Sequence, residues 1–268
     1  MNPEQPAEKP LFECRDIHYA YQGRFPALCG IDMTISEGQR IAFLGANGCG
    51  KSTLLHLLDG LVFPDKGAIR YEDRELTETA FLDKQFSVAF RKTVGLVFQN
   101  PDVQLFCPTV REDIAFGPLQ LGVDEATVKA RITSLAETLS IAHLLDRSPH
   151  QLSVGEKRKV AFATVLAIDT GVLLLDEPTA GLDPQTSTHL IEMLSTAAGS
   201  GKTIITATHD LHILEDIADE VYVFGQDRRV AGHGSPAEIL ADTPLLQANN
   251  LIHRHSHHSR DHRAMQTE

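Results

Sequence analysis

A chain of 268 residues with 42% hydrophobic and 22% charged positions can bury a substantial core, as one large domain or one domain with a subdomain. Its formal charge of −12 argues against extended contact with nucleic acid, which needs Lys and Arg clustered against phosphates. No apolar run nears the roughly 20 residues that cross a bilayer. The start "MNPEQPAEKP" has no apolar signal region, and Cys14, Cys29, Cys49 and Cys107 lack ligand-like spacing, so a cytosolic protein with reduced thiols is expected.

In chain order, residues 1–10 read as a disordered leader with three prolines, and the fold begins near Leu11. Short runs of β-branched and other apolar residues then recur at "RIAFLG", "TVGLVF", "GVLLLD", "KTIITATH" and "EVYVFG", the pattern of buried strands. Helical stretches such as "STLLHLLDG" and "STHLIEMLSTAAG" alternate with them, which predicts a mostly parallel sheet covered by helices. Between "GLVF" and "GVLLLD" the alternation stops. There Val128, Ile132, Leu135 and Leu139 share one helix face with Asp124 placed to cap it, so an inserted helical subdomain is expected.

Three motifs carry chemistry. "GANGCGKST", comprising Gly45, Ala46, Asn47, Gly48, Cys49, Gly50, Lys51, Ser52 and Thr53, joins a predicted strand to a predicted helix, as a G-x-x-x-x-G-K-[ST] loop does when its backbone N–H groups wrap phosphates. Lys51 offers a point charge to the outer phosphates and Ser52 a hydroxyl to Mg²⁺. Cys49 reads as a small side chain tolerated at a variable position, although its thiol, near a helix N-terminus, sits where a thiolate is favoured. The strand "VLLLDEP" ends in Asp176, suited to hold the metal, and Glu177, suited to take a proton from an attacking water, with the loop at Lys51 as their partner. Finally, "LSVGEKRKVAFATVLA" opens a helix with Ser153 and Gly155, a second anion-binding helix start. One nucleotide has one set of terminal phosphates, so the two starts are expected to serve different copies. Lys157, Arg158 and Lys159 either intensify the potential there or form a solvated basic face.

Together these motifs resemble the ATP-binding-cassette (ABC) ATPases over nearly all of residues 11–240. The resemblance implies an α/β fold, a P-loop NTPase ABC nucleotide-binding domain with a mostly parallel core sheet, an N-terminal antiparallel β part and an inserted helical subdomain at about 100–160. It implies ATP and Mg²⁺ as ligands and makes Gly45–Thr53 the Walker A loop, Val172–Glu177 the Walker B strand and "LSVGE" the signature that meets a partner's ATP. Gln99 matches the residue linking Mg²⁺ and water to the helical subdomain, Asp183 a loop crossing the dimer interface, and His209 the switch histidine. Tyr21 is the candidate to stack on adenine, with Tyr19 as alternative. Two positions depart from the pattern. Val154 stands where glycine is usual, so that either the local backbone is extended or the signature is weaker, and Glu156 stands for glutamine, adding a carboxylate near ATP.

More narrowly, "GLVFQNPDVQLF", "TVREDIAFGP" and "GSPAEIL" resemble the ATPases of energy-coupling factor importers, which take up vitamins or cobalt and nickel. The resemblance implies a homodimer or a heterodimer with another ABC ATPase, a transmembrane coupling subunit, a substrate-binding membrane subunit, and peripheral placement on the cytoplasmic face of the cell membrane. Val103, Leu105 and Phe106 either lie near the groove for the membrane partner or pack locally. A soluble, non-transport ABC ATPase is the alternative of another class. Residues 241–252 read as a C-terminal extension and 253–268 as a flexible tail carrying His253, His255, His257, His258 and His262. Imidazoles suit nickel, cobalt, copper and zinc, so the tail either binds metal, tipping the cargo toward nickel or cobalt, or is merely solvated.

Overall fold

The computed structural model describes residues 10–252. The elements run β1 (Pro10–Tyr21), β2 (Phe25–Ser36), β3 (Arg40–Leu44), α1 (Lys51–Leu58), β4 (Lys66–Tyr71), β5 (Arg74–Glu75), α2 (Glu78–Leu82), α3 (Lys84–Thr93) and β6 (Val94–Val97). A helical stretch follows, α4 (Val110–Gln120), α5 (Glu125–Thr138) and α6 (Val154–Leu166). The chain then returns through β7 (Val172–Asp176), α7 (Pro184–Gly199), β8 (Thr203–Thr208), α8 (Leu214–Ile217), β9 (Glu220–Phe224) and β10 (Val230–Gly234) to α9 (Pro236–Ala241) and α10 (Thr243–Ala248).

Strands β2-β1-β4-β5 form an antiparallel sheet, and the second sheet has the order β10-β9-β3-β8-β7-β6. Within it β9, β3, β8, β7 and β6 are parallel and only β10 runs antiparallel. Every residue of β7 and β8 is buried, which is why these strands read as unbroken apolar or β-branched runs rather than as alternations. Phe12 and Ile31 of the antiparallel sheet, Phe43 of β3 and Leu54 of α1 share one core, so the helix after β3 is clamped between the sheets.

The helical stretch has a core of its own, in which Val110, Ile114, Val128, Ile132 and Val160 meet. Asp124 caps α5 by accepting from the Thr127 N–H at 2.9 Å. Leu105 is buried in this core, whereas Val103 and Phe106 are exposed, and Phe106 meets Phe116 edge-on with centroids 4.9 Å apart. Local packing thus accounts for one of the three apolar residues after Gln99.

An aromatic cluster absent from the sequence expectations joins α2 and α3 to the segment that follows α1. Phe81 packs against Phe63, Phe86 and Phe90 with centroids 5.1 to 5.8 Å apart. At the C-terminal end of α1, Arg91 donates to both the carbonyl (2.7 Å) and a carboxylate oxygen (2.9 Å) of Asp59. Burial nevertheless pushes the Asp59 carboxyl up to about 6, with Arg91 opposing.

Candidate active site

Parallel strands deliver their following loops to the same sheet edge. Because β3, β8, β7 and β6 are consecutive neighbours, the loop Gly45–Gly50, His209, Glu177 and Gln99 all emerge at carboxyl ends on that edge. The Gly45 N–H donates to the Thr208 carbonyl at 3.3 Å, fastening the start of the loop to β8.

The loop's shape depends on its glycines. Gly50 has φ 110° and lies so close to β2 that a Cβ there would come within 2.3 Å of the Ala27 carbonyl oxygen. It also begins α1 with no side-chain cap and no acidic residue in the first turn, so the first N–H groups of the helix are left for a ligand. Lys51, buried, donates from Nζ to the Gly45 (2.7 Å) and Ala46 (3.2 Å) carbonyls and stands 3.7 Å from Glu177 Oε1. Of the two readings of Cys49, the small packed side chain holds. It is buried with its sulfur against Gly45, and desolvation pushes its thiol up despite Lys51, so the helix terminus does not produce a thiolate.

Ser52 Oγ donates to Asp176 Oδ1 at 2.9 Å across the intervening β8. Burial pushes the Asp176 carboxyl up, and the hydroxyl of Ser52 opposes this. Two oxygen donors joined in a desolvated site, one of them a carboxylate with no salt bridge among the described residues, form a donor set that fits a hard divalent ion such as Mg²⁺. One residue further, Glu177 has φ 48°, which turns its side chain away from that of Asp176. Its Oε1 lies 2.9 Å from His209 Nδ1. Lys51 and His209 therefore converge on one carboxylate oxygen.

These groups face a cleft of about 540 Å³ lined by Tyr21, Lys51, Thr53, Gln99, Glu177 and Arg228 among others. Tyr21, not Tyr19, faces it: the Tyr21 hydroxyl is 3.0 Å from Thr53 Oγ1, while Tyr19 packs on the core and supports Tyr21 edge-on. Arg228, in the turn between β9 and β10, was not expected here. Its carbonyl accepts from the Cys29 N–H at 3.0 Å, which anchors that turn beside the loop.

Ser153, Gly155 and Asp183 are not brought to this cleft. Asp183 caps α7, accepting from the Thr186 N–H and hydroxyl, which hold its carboxyl below the usual range. Ser153 caps α6 in a capping box: Glu156 N–H donates to Ser153 Oγ, and both the N–H and hydroxyl of Ser153 donate to Glu156 Oε2. Val154 is the first helical residue and exposed, so the extended alternative for it does not hold. Glu156 forms the other half of the cap: its carboxylate is engaged by Ser153, whose bonds hold it below the usual range. The S-x-x-E spacing was its sequence signal.

Nor do all the basic residues form a solvated face. Lys157 Nζ donates to Asp102 at 2.6 Å, and Arg158 Nη1 donates to the Glu177 carbonyl at 2.7 Å. Gln104 adds a third tie, accepting from the Phe98 N–H and donating to the Ala161 carbonyl and Thr164 hydroxyl. The loop after β6 and the loop after β7 are thus both fixed to α6, through contacts the motifs did not mark.

A family model described as ABC transporter matches residues 28–180. The chain belongs to the ABC transporter family. It is 48% identical over 246 residues to the nickel import ATP-binding protein NikO of Rhodobacter capsulatus, covering 91% of this chain and 96% of that one. It is 40% identical over 241 residues to the energy-coupling factor transporter ATP-binding protein EcfA of Methanothermobacter thermautotrophicus, covering 90% of this chain and 76% of the relative. A solved structure of cbiO1 from Clostridium perfringens, part of the ABC transporter complex cbiONQ, superposes with a TM-score of 0.74 at 36% identity, over 91% of this chain and 96% of the other. This cassette is accordingly an ATP-hydrolysing subunit of the ABC type, and among its described residues no helix is long and apolar enough to cross a membrane.

Proposed function

We propose that the cassette binds ATP with Mg²⁺ in the cleft at Lys51, hydrolyses it in a face-to-face pair with a second cassette, and so drives import of nickel or cobalt ions through separate membrane subunits. The observation that carries the catalytic part is the convergence of Lys51 and His209 on Glu177 Oε1 beside an uncapped helix start. Backbone N–H groups of the loop and Lys51 hold the phosphates, and Tyr21 stacks on the base. Ser52, Asp176 and Gln99 hold the Mg²⁺, which when bound offsets charge on the phosphoryl oxygens. Glu177 accepts a proton from the water whose oxygen bonds to the γ-phosphorus as the bond to the β-phosphate oxygen breaks, leaving ADP and phosphate. His209 orients that carboxylate. Ser153, exposed, and Gly155, half-buried, neither of them lining their own cleft, contact the γ-phosphate held by the partner, and Asp183 sits at the edge between copies.

Nickel or cobalt is favoured by the likeness to NikO and cbiO1 and by the five tail histidines, which lie outside the described residues. The likeness to EcfA supports a second cargo class, vitamins. The deciding experiment is to purify the complex from membranes, identify its subunits and measure ATP-driven uptake of Ni²⁺, Co²⁺ and vitamins into vesicles. Uptake of either metal dependent on Glu177 supports the reading. Vitamin uptake alone, or purification without membrane subunits, overturns it.

A further inference from the structure

The turn between β9 and β10 is a three-residue hairpin loop. The Arg228 N–H donates to the Gly225 carbonyl at 3.0 Å, and the Gly225 N–H donates to the Arg229 carbonyl at 2.9 Å. A loop of this kind ends on a left-handed position where glycine is the usual occupant, and Arg228 stands there with φ 64°. The turn gains nothing from that side chain, so its use has to be sought outside the turn.

The half-buried Arg228 side chain lines the cleft at Lys51 and has no hydrogen bond, ion pair or ring contact among the described residues. The other cation lining that cleft, Lys51, is already engaged by the Gly45 and Ala46 carbonyls and by Glu177. Strand order tells which part of a nucleotide Arg228 meets. The loop Gly45–Gly50 follows β3, and β9 and β7 lie on opposite sides of that strand. Glu177 and Gln99, after β7 and β6, stand on the hydrolytic side, whereas Arg228, after β9, stands on the other. The base end is marked by Tyr21, whose cross-strand partner Phe25 is exposed and also lines the cleft. Arg228 is anchored four residues further along β2, at the Cys29 N–H, past the Ala27 carbonyl that Gly50 approaches. It is thus set between the base and the loop, away from the groups that act on the γ-phosphate.

We propose that the Arg228 guanidinium binds the phosphate nearest the ribose, the α-phosphate of ATP and of ADP alike. A guanidinium offers donors only, and its bonds to phosphate oxygens are charge-assisted. A contact that substrate and product share binds both without favouring the transition state, so it tightens ATP and also slows the departure of ADP. The inference rests on a nucleotide occupying the cleft at Lys51, but not on the identity of the cargo.

The test uses the full chain, the variants Arg228→Gly and Arg228→Lys, and Lys51→Ala as a marker of the cleft. Competition against a fluorescent ATP analogue gives the affinities for ATP, ADP, AMP and adenosine, and a thermal melt checks the fold. Glycine suits the turn, so Arg228→Gly is expected to melt no lower than the wild type. It should nevertheless bind ATP, ADP and AMP each at least about tenfold more weakly, the lower end for a hydrogen bond to a charged group, with adenosine affinity unchanged. Arg228→Lys recovers part of the loss. A loss confined to ATP would put the guanidinium at the transferred phosphate, and a loss shared by adenosine would put it at the base; either overturns the proposal, as does unchanged binding throughout. Lys51→Ala separates the two readings. If it abolishes ATP binding while Arg228→Gly binds as the wild type does, this inference alone fails, whereas full ATP binding by Lys51→Ala sinks the cleft reading and this inference with it.

Discussion

Helices α1 and α6 are the two starts proposed to meet phosphate, and they are built in opposite ways. α1 begins at an uncapped, positive-φ glycine, with a buried lysine as its first residue, and is clamped between two sheets. α6 begins at an exposed serine whose hydroxyl and N–H are satisfied by Glu156 three residues on. The first start is short of partners inside a finished cleft. The second is satisfied and faces outward. A helix start held open by its fold is built for a ligand of its own chain, whereas one resting on a local cap waits for something that arrives from outside and can displace that cap.

The largest effect should come from the finished cleft. Glu177→Gln is expected to cut steady-state phosphate release by about 10²- to 10⁴-fold, the usual worth of a positioned base, with binding of a fluorescent ATP analogue retained. Normal turnover would remove Glu177 from its role. Next, Gly155→Asp should lower hydrolysis by about 10²-fold, as loss of one anion-binding contact does, and leave ATP binding to the isolated chain unchanged. Weaker binding to the isolated chain would show that both helix starts serve one cleft, which breaks the contrast.

Stability measurements sharpen it further. The Asp59 carboxyl anchors the far end of α1 and titrates at about 6 in the fold against 3.8 unfolded, so between those values the folded state holds the extra proton. Its contribution is therefore greatest below about pH 4 and is lost as pH rises toward about 6, an effect on the order of 3 kcal/mol. Asp59→Asn should flatten that part of the pH profile in urea melts, and an unaltered slope would count against the buried pair. The smallest effect belongs to α6: Ser153→Ala should cost about 1 kcal/mol of unfolding free energy through loss of the cap. A change well below this would mean that the capping box contributes little.

Much of this was legible because it rests on short-range patterns. The run "RIAFLG" before "GANGCGKST" announced both β3 and the loop it ends in, and Asp124 announced α5. The convergence of Gln99, Glu177 and His209 followed from a parallel sheet whose strand order only the structure supplies. The contacts of Arg158, Gln104 and Arg228 were not legible, since each is a tertiary contact between segments far apart in sequence; Arg158 stood in the signature stretch, but its tie to the Glu177 carbonyl follows from no spacing. The aromatic cluster at Phe81 escaped for the same reason: its members share no single helix face. Glu156 is different, because its S-x-x-E signal was present and the position was weighed only against a nucleotide.

The bond from Arg158 to the Glu177 carbonyl has a consequence for timing. Glu177 is held in the left-handed backbone region, a conformation that a non-glycine residue keeps only when its surroundings impose it. One of those surroundings is the helix that carries the signature. In the paired arrangement we propose, a pull on α6 from the partner's nucleotide reaches Glu177 through the Arg158 guanidinium. On that arrangement the two sites share one linkage, and a stroke at one registers at the other.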